Sequence, residues 1–137
     1  MSDFLESLKI RLSDINYIRD NGLIDGISSV LINGLKSLDA YKRPIHCTDQ
    51  KRTTMYIKES GEWEKDKENE KLKDSIITIN KKHIVAIKAW EAQHPNWEKN
   101  DQMTDEYMKM VQSVTNSTQN TENIIIKQVA KEVIIDR

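Results

Sequence analysis

The sequence predicts a mainly α protein with one small β element (α+β), about five helices packed around a two-stranded antiparallel hairpin. Three observations carry that expectation. Apolar residues recur at spacings of three and four through most of the chain. From Thr53 the period drops to two, as in a strand with one buried face. Glu59-Ser-Gly-Glu62 then reads as a hairpin turn, with Gly61 free to take a positive φ. A chain of 137 residues fits one domain with one core. It divides into a helical pair (1–40), a basic loop with hairpin (41–66), and a helical body and tail (67–137).

Residues 3–20 read as the first helix. Leu5, Leu8, Leu12 and Ile15 form its apolar face, and Asn21-Gly22 is a stop that tolerates the left-handed conformation. The second helix spans about 24–37, with Ile24, Ile27, Leu31, Leu35 and Leu38 as its stripe. Gly26 and Gly34 each weaken it by about 1 kcal/mol relative to Ala. A short link between amphipathic helices implies an antiparallel pair.

In the hairpin, Thr53, Met55 and Ile57 share one face, and Thr54, Tyr56 and Lys58 share the other. With Ser60 and Gly61 central in the turn, Lys58 stands opposite Trp63, which allows a cation–π contact across the strands. One face of so small a ribbon must pack on helices. The charged run 65–71 reads as a solvated loop and first helical turn. A helix then continues to about Gln93 on the stripe Leu72, Ile76, Ile79, His83, Ile87 and Trp90, and Pro95 ends it. Thr104 caps or opens the next helix, which buries Met103, Tyr107, Met110, Val111 and Val114. Asn116-Ser-Thr-Gln-Asn-Thr121 is a polar break. Its Asn116-Ser117-Thr118 matches a glycosylation acceptor, read here as a cap and loop. The tail, about 121–135, carries β-branched runs that suit a strand. The helical spacing of Lys127, Lys131 and Glu132 favours helix.

Composition narrows the function. Apolar residues are 37% and charged residues 31%, with a net charge of −1. That balance lacks the global basic signature of a nucleic-acid-binding domain, so such binding must come from a local patch. The single Cys47 excludes an internal disulfide framework and a multi-cysteine zinc site within the chain. The chain shows neither a secretory signal nor a long apolar run, and the expectation is a soluble intracellular protein with no membrane partner.

His46, Cys47 and Asp49 invite a thiolate–base–orienter reading. Neighbours in an extended segment point to opposite sides, and no glycine-rich phosphate or oxyanion cradle accompanies them. His46, Cys47, His83 and His94 match no zinc spacing. No catalytic residue, metal or cofactor is therefore expected. The basic cluster carries more. Lys42, Arg43, His46, Lys51 and Arg52 lie close together, flanked by Tyr41 and Tyr56 and followed by Lys58. Clustered cations hold phosphates, and adjacent aromatics stack on bases. The plainer reading pairs Arg43 or Arg52 with Asp39, Asp49 or Glu64 to clamp the hairpin. Lys81-Lys82-His83 extends the patch if its helix packs beside the hairpin.

The segment Lys42-Arg-Pro-Ile-His-Cys-Thr-Asp-Gln-Lys-Arg52, followed by Tyr56-Ile-Lys58 and Glu62-Trp-Glu-Lys-Asp66, resembles a C-terminal helical module of zinc-finger-type proteins of nucleocytoplasmic large DNA viruses, mimivirus-like and phycodnavirus-like. The resemblance continues through Lys81-Lys-His-Ile84, Trp90 with Pro95, and Ala130-Lys-Glu-Val-Ile-Ile-Asp136. It brings no established reaction, and this chain lacks the two-Cys, two-His finger. The resemblance implies a viral protein of the host cytoplasm or viral factory, or of the virion. The expected function is a non-enzymatic interaction or oligomerisation module that pairs with itself or with a viral protein, using Leu5, Leu8, Leu12 and Ile15 or the tail helix. The alternative is a nucleic-acid-binding accessory domain using Lys42, Arg43, His46, Lys51, Arg52 and Lys58.

Overall fold

The computed structural model describes residues 1–115 and 119–135. It contains six α-helices: α1 (Ser2–Ser7), α2 (Leu12–Asn21), α3 (Leu23–Lys36), α4 (Glu70–Gln93), α5 (Asp101–Thr115) and α6 (Gln119–Val133). Between α3 and α4 lies an antiparallel sheet of β1 (Ile45–Asp49), β2 (Thr54–Glu59) and β3 (Glu62–Lys65), in that order. The mainly α class with a small β element is as expected. The asparagine-led acceptor triplet at 116–118 lies outside the described residues.

Two expectations need correcting. The sheet has three strands, because Ile45-His-Cys-Thr-Asp49, read from sequence as basic loop, forms β1. Ile45 and Cys47 are buried while His46 and Thr48 are only part-buried. That alternation is what pairing against Ile57 and Met55 of β2 requires. Thr48 is the extra residue of a bulge between Cys47 and Asp49.

The first predicted helix is two. The backbone leaves α1 at Leu8 in an extended conformation and enters α2 from an extended Arg11. The Asp14 carboxylate accepts the Arg11 amide at 2.8 Å, which caps α2. The Lys82 ammonium donates to the Leu5 and Leu8 carbonyls, each at 2.6 Å, and so satisfies the end of α1. A break with both ends hydrogen-bonded costs little, and it lets α1 fold back beside α4.

The other elements follow their signals. All six residues of the predicted α4 stripe are buried. Asp66, itself buried, accepts the Lys71 and Leu72 amides at 2.9 and 3.0 Å and holds a negative charge at the positive end of α4. Pro95 follows the last residues of α4, and Trp90, His94, Trp97 and Tyr107 stack around the corner into α5, with Trp97 and Tyr107 centroids 4.1 Å apart. The tail resolves its ambiguity by using both conformations. α6 runs to Val133, then Ile134 bridges Cys47 in parallel and the Ile135 amide donates to the Cys47 carbonyl at 2.9 Å.

One contiguous core joins helices and sheet. Ile15 and Ile18 of α2, Ile27, Leu31 and Leu35 of α3, Ile45, Met55 and Ile57 of the sheet, and Ile125 and Val129 of α6 are all essentially inaccessible. Gly26 marks where α2 and α3 approach most closely: a Cβ there would sit 2.7 Å from Cγ1 and 2.9 Å from Cβ of Ile18. Its presence in the helix is thus a packing requirement that outweighs its low propensity.

Candidate functional site

With Ile45, Cys47, Met55 and Ile57 turned into the core, alternation puts His46, Thr48, Thr54, Tyr56 and Lys58 on the opposite face of the sheet. Trp63 pairs with Lys58, and Lys65 pairs with Tyr56, so β3 adds a second aromatic and a second lysine to that face. The turn that makes this register is Ser60-Gly61, with φ of 51° and 83°. Two consecutive positive φ values suit a tight hairpin, and glycine accepts one of them without strain.

Trp63 reaches across β2 to β1. Its ring stacks on His46 with centroids 4.3 Å apart and planes 19° apart, and it remains 39% exposed. The Lys58 ammonium lies 5.8 Å from the Trp63 centroid, at the outer range of a cation–π contact. His46 Nε2 also lies 3.0 Å from the Ala40 carbonyl oxygen, which fixes the imidazole from the other side. The Lys58–Trp63 pairing is as expected. The His46–Trp63 stack is not foreseen by the sequence analysis; the Ile45–Thr48 alternation was the signal that could have shown it.

The six predicted basic residues separate into two groups. Lys42 and Arg52 are exposed, and their ion pairs to Asp39 at 3.9 Å and Asp49 at 3.8 Å are long surface contacts of small energy that leave the cations free to turn. Lys51 is exposed in the same β1–β2 loop as Arg52. His46 and Lys58 lie on the outward face. Arg43 does not join them. Its Nε donates to the carbonyls of Leu35 at 2.9 Å and Leu38 at 3.3 Å, and its Nη1 to that of Glu132 at 3.4 Å. It ties the end of α3 to the end of α6. Of the expected arginine–acid pairs only Arg52–Asp49 forms, at the surface; Arg43 instead grips backbone carbonyls and clamps helix ends, not the hairpin. Lys81-Lys82-His83 does not extend the patch either: Lys82 caps α1, and His83 is fully buried.

The predicted pairing stripe is also divided. Leu8 and Ile15 are buried in the chain's own core, Leu5 is part-buried against it, and Leu12 is 42% exposed. These four residues, split between two short helices and the link, form no continuous outward seam.

His46 and Cys47 lie on opposite faces of β1, so they cannot act as base and thiolate. Burial pushes the Cys47 thiol up, against the thiolate. Among the described residues, no group of three or more His, Cys, Asp or Glu side chains is placed to hold a metal ion. No helix of the described residues is long and apolar enough to cross a membrane. A groove of about 820 Å³ opens between α1, α3 and the β2–β3 turn, and Lys42 and Lys58 both line it. Comparison with protein-family models, with curated proteins and with solved structures gives no match for this chain.

Proposed function

We propose that this chain is a non-enzymatic binding module that holds nucleic acid on the outward face of its sheet. The observation that carries the reading is the exposed His46–Trp63 stack with Lys58 beside it, on a face that also presents Tyr56 and Lys65. Aromatic rings offer base-stacking surface, and the cations around them offer phosphate contacts. Lys51 and Arg52 extend the cationic track beyond one end of the strands, and Lys42 beyond the other. The resemblance to modules of giant DNA viruses belongs to the same proposal, with the host cytoplasm, the viral factory or the virion as the setting.

A second reading, self-association, draws on a different surface. Ile77, Ile84 and Val85 of α4 are 42%, 39% and 66% exposed on the side of the helix away from its buried stripe. A dimer formed there would present two sheet faces and strengthen weak binding through avidity.

The test is binding of a fluorescently labelled oligonucleotide, by anisotropy, as salt is raised. If Lys42, Lys51, Arg52, Lys58 and Lys65 all meet phosphates, the affinity should fall about 100-fold between about 50 and 200 mM salt. Absence of binding at the lower salt would reject the reading. Light scattering on the same samples reports whether the bound species is a monomer or a dimer.

A further inference from the structure

We infer that the nucleic acid this face takes is single-stranded. The inference rests on the binding reading above and deepens it. Three features point the same way.

The first is the ring stack. His46 braces Trp63 at 4.3 Å and leaves part of the indole exposed. A braced ring offers stacking surface without the cost of ordering it on binding. Only unpaired bases can present a π-face to it, because paired bases within a duplex are covered by their neighbours.

The second is the shape and charge of the hairpin. A two-stranded ribbon reads duplex DNA by entering the major groove. Here the residues flanking the turn are Glu59 and Glu62, paired across the strands, with only Ser60 and Gly61 beyond them. Glu59 pairs with the N-terminal ammonium at 3.7 Å, which leaves Glu62 to repel the phosphates that line a groove, and the N-terminus packed on the Lys58 carbonyl blocks the approach of the tip. The face of the sheet can therefore be approached, but its tip cannot be inserted.

The third is the spread of the cations. Lys58 and Lys42 stand near the start of β1, since the Lys58 amide donates to the Pro44 carbonyl at 2.8 Å. Lys51 and Arg52 stand in the loop at its other end. A five-residue strand spans about 17 Å, so the cations mark a single narrow track with aromatics between its ends. One phosphodiester backbone can follow that track. The net charge of −1 leaves no broad positive field to draw in two strands. Stacking without base-edge hydrogen bonds makes the binding tolerant of sequence.

The experiment compares a labelled single strand of about 12 nucleotides with the same strand annealed to its complement, by anisotropy at low salt, for the parent chain, Trp63→Ala and Trp63→Phe. The single strand should bind at least about tenfold more tightly than the duplex. Trp63→Ala should weaken it about 5- to 150-fold, and Trp63→Phe by much less. Binding should also quench indole fluorescence in the parent, and Trp63→Phe should abolish the quench, since Trp90 and Trp97 lie at the α4–α5 corner. Equal or tighter duplex binding would overturn the single-strand inference and leave the nucleic-acid reading standing. Undiminished single-strand binding by a folded Trp63→Ala would overturn it as well. Binding of neither form would remove both.

Discussion

Arg43 separates structure from binding within the basic cluster. Replacing it with alanine removes one good charge-assisted hydrogen bond, to Leu35 at 2.9 Å, and two longer ones, to Leu38 and Glu132 at 3.3 and 3.4 Å. A hydrogen bond from a charged group contributes about 1.5–3 kcal/mol. The two longer contacts add about 0.5 kcal/mol each at that stretch. The Leu38 carbonyl just past α3 and the Glu132 carbonyl near the end of α6 lose this partner, while the Leu35 carbonyl keeps the Leu38 amide at 3.1 Å. Arg43→Ala should therefore lose about 2.5–4 kcal/mol in urea unfolding. Arg43→Lys should recover only part of this, because a point charge cannot bridge two helix ends as a planar fork does. Arg52→Ala, by contrast, removes a side chain that is 84% exposed, and should change stability by no more than about 0.5 kcal/mol while weakening oligonucleotide binding. If Arg43→Ala is as stable as the parent and loses binding, the reasoning is wrong and Arg43 is a phosphate ligand.

Further outcomes follow from the core. Gly26→Ala should destabilise by up to about 2 kcal/mol in urea unfolding, because the new methyl meets Ile18 near its backbone at 2.9 Å and this outweighs a propensity gain of about 1 kcal/mol. Gly34→Ala should stay within about 1 kcal/mol of the parent, since its Cβ meets the far ends of Leu8 and Phe4, which can turn aside. Burial lowers the His83 pKa, although the Ile79 carbonyl and the more distant Asp14 oppose the shift. The unfolded chain then takes up the proton first as pH falls through about 6.5. Stability should be flat above neutral pH and decline below about 6.5 until the folded value is reached; melting curves of the parent and His83→Leu between pH 7.5 and 5.5 would show whether that slope belongs to His83.

Much of the fold is legible because burial follows simple periods. The α4 stripe, the Lys58–Trp63 register and the end of α4 before Pro95 need only spacing and local sterics. What spacing could not show depends on partners far along the chain. The break between α1 and α2 is stabilised by Lys82, more than seventy positions away, and an unbroken leucine pattern hides it. β1 alternates plainly, yet the cations on either side of it look like a loop until Ile45 and Cys47 find Ile57 and Met55. The same limit governs the site. Composition gathers six basic residues into one patch, but only tertiary contact turns Arg43 inward to helix ends and carries Trp63 across β2 onto His46. Residue type alone gives a guanidinium no preference between a phosphate and a carbonyl.

The most direct test of the central claim is an amide and indole NMR titration of the folded chain with an unlabelled single-stranded oligonucleotide at low salt. The account predicts that the largest shifts fall on His46, Thr48, Tyr56, Lys58, Lys65 and the Trp63 indole, with the Trp90 and Trp97 indoles unmoved. Shifts centred on the outward side of α4, or none at saturating oligonucleotide, would contradict it.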